Sequence, residues 1–75
     1  MEKTEMHAEW GKRVRRARRD KELTATAFAQ EVGISRTHLH RIEGGFQAPS
    51  DGLRIRIANA LGVEPNELFD LKAAS

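Results

Sequence analysis

Apolar residues recur along this chain at intervals of three or four, which is the spacing that gives a helix one apolar side. Trp10, Val14 and Ala17 show it near the N-terminus, and Leu53, Ile57 and Leu61 show it again nearer the C-terminus. We therefore predict an all-α fold. Its five short helices span about residues 9–21, 25–32, 36–43, 51–61 and a last segment that opens at 65.

Capping residues separate these helices. Thr24, Ser35 and Ser50 each precede a helix and offer a side-chain oxygen to its free N–H groups. Gly33 and Gly62 follow helices, and glycine takes the left-handed conformation there without a steric penalty. The second and third helices are thus joined by a tight turn at Gly33. Such a pair is typical of the helix-turn-helix motif, whose second helix enters the DNA major groove.

The third predicted helix has an apolar edge and a polar face. Leu39 and Ile42 lie on one side of it, so its remaining sides are free to meet a partner. Arginine forms bidentate pairs with guanine, threonine offers a methyl and a hydroxyl group, and histidine can donate to purine acceptors. We predict that this polar face reads base edges, and we call it the recognition face: Arg36, Thr37, His40 and Arg41.

Short motifs at consistent spacing extend well beyond this helix pair. They are Arg13-Val14-Arg15, Leu23-Thr24, Phe28-Ala29, Gly33-Ile34-Ser35, Ile42-Glu43, Gly45 and Pro49-Ser50. With these motifs the chain resembles the phage repressor/Cro-like (XRE-type) helix-turn-helix family from about residue 11 to residue 69. The resemblance implies a repressor-like DNA-binding domain with its helix-turn-helix at helices 2 and 3. It also implies that the main base readers are Arg36, Thr37 and Arg41.

The same resemblance implies two structural features and shows one departure. Gly45 is expected to be left-handed after the third helix. Arg18 is expected to pair with Glu43 and so to tie the first helix to the third, because an unpaired carboxylate at the core edge would be unfavourable. The family usually places glutamine at the start of the motif's first helix, whereas this chain has Ala25.

Phosphate contacts are predicted at the N-terminal end of the second helix, because free N–H groups and the helix dipole attract anions there. The loop after the third helix is expected to approach the same DNA strand. The predicted phosphate-contacting residues are Arg18, Thr24, Thr26, Ser35 and Gln47.

The distribution of charge supports a nucleic-acid partner more strongly than the net charge of +2. Residues 12–43 hold nine Lys or Arg and four Asp or Glu, so positive charge surrounds the helix pair. The alternative interpretation is a solvated basic face, since several cations of the first helix point away from its apolar side: Lys12, Arg15, Arg16 and Arg19.

Composition excludes several kinds of site. The chain has no cysteine, which excludes disulfides, thiolate metal sites and cysteine nucleophiles. His38 and His40 point about 160° apart on a helix, so they cannot share an ion and we predict no metal. We also predict no cofactor, no small-molecule ligand and no enzyme activity. The sequence shows no nucleophile–base constellation, glycine-rich phosphate loop or acidic metal cluster.

One domain is predicted at 9–72, with the motif at 25–44, a flexible segment at 1–8 and a tail at 73–75. No apolar run approaches the ~20 residues of a membrane span, and the first residues lack the apolar core of a signal peptide, so a cytoplasmic location is expected. Helix five cannot bury all its large apolar residues at once, which suggests a dimer surface. The residues predicted for it are Leu68, Phe69 and Leu71.

These features together predict a sequence-specific regulator of transcription that binds double-stranded DNA as a homodimer on two half-sites. A phage-type repressor, a restriction–modification controller and an antitoxin all fit this pattern. The alternative from another class is a protein–protein interaction module that reuses the fold without binding DNA. That alternative predicts an apolar or acidic outer face on the third helix.

Overall fold

The computed structural model describes residues 4–70, which form five helices and, within that range, no β-strand. The all-α prediction is therefore confirmed. The helices are α1 (Glu5–Asp20), α2 (Ala25–Val32), α3 (Arg36–Glu43), α4 (Asp51–Leu61) and α5 (Pro65–Leu68).

The predicted caps set the ends of the central helices. The side-chain oxygens of Thr24, Ser35 and Ser50 accept hydrogen bonds from backbone N–H groups three residues ahead, at 3.1, 3.0 and 3.3 Å. Each cap of this kind stabilises its helix by about 1 kcal/mol. Gly33 and Gly62 end α2 and α4 with φ of 84° and 70°, which is the left-handed conformation. The turn of the helix-turn-helix is thus fixed at both of its ends.

Helix α1 begins four residues earlier than predicted, so residues 5–8, which were expected to be flexible, are helical. Thr4 caps it by accepting from the His7 N–H at 3.0 Å. The extra turn lies against Gly45, where an added Cβ would be 2.6 Å from the Cα of Ala8. Gly45 is left-handed, with φ of 82°, as the resemblance implied. This contact uses backbone and small residues, so apolar periodicity could not have indicated it.

A single apolar core lies among the helices, and every member is at most 6% exposed. All five helices contribute to it, so the two helices of the motif are held by contacts with the rest of the fold. The core residues are Trp10, Val14, Phe28, Ala29, Val32, Leu39, Ile42, Leu53, Ile57, Ala58, Leu61, Leu68 and Phe69.

The structure corrects the predicted dimer surface. Leu68 and Phe69 are only 4% and 6% exposed, and Phe69 meets the Trp10 ring edge to face with centroids 5.5 Å apart. The prediction was wrong for these two residues because α5 ends at Leu68. Phe69 has φ of −119° and ψ of 41°, so a helical wheel does not give its direction. Leu71, the third predicted residue, lies outside the described residues, as do the predicted end of the domain and its tail.

Trp10 also joins α1 to the C-terminal part of the fold. Its indole N–H donates to the Asp70 carbonyl at 2.9 Å. The Arg54 guanidinium carbon lies 4.6 Å from the centroid of the indole ring, and its Nε donates to the Pro49 carbonyl at 3.1 Å. This cation–π contact lets a charged α4 residue lie beside the core without losing its hydrogen bonds.

Gly11 permits the closest approach of α1 to α3. An added Cβ would collide with the backbone carbonyl oxygens of Ile42 and Glu43, which cannot move without shifting the end of α3. Gly11→Ala should therefore lower the free energy of unfolding by at least about 1–3 kcal/mol. Denaturant titration measures this, with Gly52→Ala as control because nothing lies within 4 Å of its added Cβ. A Gly11→Ala protein as stable as wild type would show that the helices can separate freely.

Candidate nucleic-acid interface

Helix α3 divides cleanly into a buried edge and an exposed face. Leu39 and Ile42 are 0% and 1% exposed, which fixes the rotation of the helix against the core. All four residues of the recognition face are exposed. They span an arc of about 140° on a helix with 100° between residues. The fold therefore brings together the side chains that the sequence predicted to read bases.

Two residues of the recognition face are hydrogen-bonded to each other. Arg36 Nε donates to His40 Nε2 at 3.3 Å, across one turn of α3. His40 Nε2 can accept this bond only when it carries no proton. The contact holds the Arg36 side chain along the helix face. Within residues 4–70, Thr37 and Arg41 form no side-chain hydrogen bond or ion pair and remain free to meet a ligand.

The N-terminal ends of α2 and α3 carry exposed hydroxyl groups. Thr24 and Ser35 accept backbone hydrogen bonds as caps, and each hydroxyl keeps a proton that it can donate to a phosphate oxygen. Thr26 is also exposed in the first turn of α2, whereas Ala25 between the two threonines is half-buried against the core. These positions suit an anion, because first-turn N–H groups have no intrahelical partner.

The loop after α3 is tied back to the helix by a side-chain contact. The Gln47 amide nitrogen lies 3.2 Å from His38 Nε2, and both side chains are half-buried. The amide donates to this ring nitrogen when the nitrogen carries no proton. Gln47 is thereby held at the edge of α3.

The predicted ion pair of Arg18 and Glu43 is present and buried. Arg18 Nε and Nη2 donate to the two Glu43 carboxylate oxygens at 2.8 and 3.1 Å, and Nη1 donates to the Leu23 carbonyl at 2.8 Å. Bidentate geometry of this kind makes a strong, directional pair. The hydrogen bonds to Glu43 hold the pKa of Arg18 above its ordinary value, although burial opposes the shift. The charge contributes stability at every pH below the ordinary arginine pKa, so the pair holds throughout the neutral range.

The phosphate contact predicted for Arg18 stays a prediction. Its side chain is only 10% exposed, and three of its five guanidinium N–H groups donate to protein acceptors. Arg18 therefore positions α1 against α3 and the turn before α2.

The sequence interpretation missed Arg15. Its Nε lies 3.7 Å from Glu43 Oε1, and its side chain is 44% exposed, so it forms a second, weaker ion pair with the same carboxylate. The signal was its spacing, since residues three apart lie on neighbouring positions of one helix side and Arg18 follows three residues later.

The part of the chain that the structure describes supports neither a metal site nor a membrane-spanning helix. Within residues 4–70, no group of three or more His, Cys, Asp or Glu side chains could hold a metal ion. None of the helices in that range combines the length and apolar character that crossing a bilayer requires.

Known proteins share this arrangement. The family described as a helix-turn-helix domain matches residues 9–71. The HTH-type transcriptional regulator YazB of Bacillus subtilis (strain 168) is 39% identical over 64 residues, which are 84% of this chain and 93% of YazB. The restriction-modification controller protein C.AhdI of Aeromonas hydrophila superimposes with a TM-score of 0.78 and 32% identity, over 83% of this chain and 94% of that one.

The master regulator for biofilm formation SinR, solved in complex with DNA, also superimposes. Its TM-score is 0.76 at 26% identity, and the match covers 81% of this chain and 98% of that one. The predicted resemblance to the phage repressor/Cro-like (XRE-type) group is confirmed, and the chain belongs to the helix-turn-helix family.

Proposed function

We propose that this protein is a transcriptional regulator that binds double-stranded DNA sequence-specifically and reads the major groove with α3. One observation carries the proposal: the whole recognition face is exposed on a helix whose opposite edge is fully buried. Its two arginines and its threonine are side chains that recognise base edges. The likeness to SinR, which was solved with DNA, and to the controller C.AhdI supports both the ligand and the regulatory role.

The structure does not favour the alternative of a protein–protein interaction module. That alternative predicts an apolar or acidic outer face on α3, whereas the exposed face is polar and cationic. The proposed function includes no catalysis, in keeping with relatives that are regulators. With duplex DNA as the partner, we also propose the cytoplasm as the compartment.

A homodimer is part of the proposal. Helix α3 has eight residues and is about 12 Å long, so one copy reaches only a few base pairs. In related motifs, two copies bind half-sites about one helical turn apart, so the complex contacts more base pairs than one copy can reach.

Selection of bound sequences from a random duplex pool tests the proposal. We expect a consensus with dyad symmetry, half-site centres about 10 base pairs apart and two chains per duplex in sedimentation velocity. A pool that shows no enrichment would contradict sequence-specific binding. A single, unrepeated site occupied by one chain would contradict the dimer and leave base reading intact.

Ala25 offers a test of the phosphate contacts proposed at α2. Ala25→Gln adds an amide donor in the first turn of α2 and should tighten binding by about 0.5–1.5 kcal/mol, the value of a net hydrogen bond. Phosphates carry no sequence information, so selected and scrambled duplexes should gain equally. The added group is neutral, so the slope of log K against log salt should stay constant. Anisotropy titrations at two salt concentrations measure these quantities.

The matched control is Ala27→Gln, which adds the same amide at an exposed position about 200° around α2. It should leave affinity unchanged. If Ala25→Gln gave no gain on either duplex, α2 would not approach the backbone at that position.

A further inference from the structure

Helix α1 has a strongly charged outer face that the recognition of bases does not use. Four cations fall within an arc of about 100° on this helix, opposite its buried residues Trp10 and Val14. With Asp20 they line a surface hollow of about 320 Å³. We call this face the basic stripe: Lys12, Arg15, Arg16 and Arg19.

Most of the charge in the basic stripe is not neutralised by the protein. Arg15 lies 3.7 Å from Glu43, but within residues 4–70 no carboxylate forms an ion pair with Lys12, Arg16 or Arg19. Each of the four cations lies three or four residues from two of the others, and like charges at that spacing repel and destabilise the helix. An anionic partner along the stripe would relieve this repulsion.

The position of the basic stripe indicates which anion it meets. Arg15 reaches the last residue of α3, Glu43, and Arg19 lies five residues before Thr24, at the end of α1 that leads to the proposed phosphate contacts of α2. From there the stripe extends about 10 Å along α1, which equals about three base-pair steps of duplex DNA. The stripe thus begins beside the proposed DNA interface and continues away from it.

We propose that the basic stripe binds the sugar-phosphate backbone of the same duplex beyond the base pairs that α3 reads. The inference rests on the proposed DNA binding and adds a second contact region to it, for flanking DNA of any sequence. A linear row of cations suits the regular row of phosphates on one strand. An acidic protein segment is a less suitable partner, because nothing would link its site to the neighbouring DNA interface.

Duplexes of two lengths test this inference. The shorter ends at the outer edges of the sequence selected from the random pool, and the longer extends about one helical turn (~10 base pairs) beyond each edge. Wild-type protein should bind the longer duplex more tightly and with a steeper dependence on salt. The triple variant Lys12→Gln, Arg16→Gln, Arg19→Gln should lose this extra affinity and about 2–3 units of the slope of log K against log salt. It retains Arg15, which contacts Glu43.

A second triple variant controls for net charge. Arg13→Gln, Lys21→Gln, Arg56→Gln removes three cations outside the stripe and should keep the difference between the duplexes. On the shorter duplex, the dissociation constant of the stripe variant should lie within about twofold of that of this control, because both variants lose the same general electrostatic attraction.

Three results would overturn the inference. One is a stripe variant that retains the wild-type difference between the duplexes. In the second, immobilised polyglutamate retains the wild-type protein but not the stripe variant, while both proteins bind the two duplexes with the same difference in affinity. That result would assign the stripe to an acidic polypeptide. The third is wild-type protein that fails to bind even the shorter duplex, which would contradict the proposed function itself.

Discussion

Replacement of Arg18 by alanine should lower the free energy of unfolding by about 3–5 kcal/mol, because it leaves the buried Glu43 carboxylate without its main partner. The Glu43 side chain is 1% exposed and both of its oxygens accept from Arg18. Arg15, at 3.7 Å and 44% exposed, is too distant to replace two short hydrogen bonds. Denaturant titration of wild type and variant measures the loss.

The matched control removes an exposed ion pair from the same helix. Arg13 Nε lies 3.4 Å from Glu9, four residues earlier, and both side chains are at least 30% exposed. Arg13→Ala should therefore change the free energy of unfolding by less than about 1 kcal/mol. Equal losses for Arg18→Ala and Arg13→Ala would contradict the structural role of the buried pair.

A double variant separates the effect of losing the ion pair from the cost of leaving one buried charge unpaired. Arg18→Met with Glu43→Leu removes both charges and fills the space with apolar groups. It should be more stable than Arg18→Ala, because no buried charge is left unpaired.

Loss of both arginines of the recognition face should nearly abolish binding to the selected sequence. Arg36→Ala with Arg41→Ala removes two possible bidentate pairs with bases, each worth about 1–3 kcal/mol, so the total loss should be about 2–6 kcal/mol. Both side chains are exposed, so the free energy of unfolding should change little. Anisotropy titration gives the affinities, and circular dichroism verifies the fold.

The control for this variant removes two exposed cations elsewhere, through Lys21→Ala with Arg56→Ala. It should weaken binding to selected and scrambled duplexes by the same modest factor, because only general electrostatic attraction is lost. The recognition-face variant should lose discrimination between the two duplexes. Equal losses on both duplexes would contradict base reading by Arg36 and Arg41.

The helix-turn-helix could be predicted because local chemistry determines its ends. Thr24 and Ser35 cap their helices, and Gly33 takes the left-handed conformation between them, all within twelve residues. The orientation of the recognition face followed from Leu39 and Ile42, because two apolar residues on so short a helix leave only one way to bury it.

The sequence-based predictions failed where the backbone makes a tertiary contact and where the chain leaves a regular helix. The first turn of α1 lies on Gly45 through the backbone of Ala8, which apolar periodicity does not register. Phe69 was predicted on the surface because a helix was extended through it, yet the chain turns after Leu68 and the ring meets Trp10.

The ratio of dissociation constants for scrambled and selected duplexes, measured by anisotropy at one fixed salt concentration, tests sequence-specific DNA reading most directly. Specific complexes of regulators are typically 10³–10⁷-fold tighter than their nonspecific ones, so we expect a ratio of at least about 10³ for the wild-type protein. Equal dissociation constants for the two duplexes would contradict sequence-specific reading by α3.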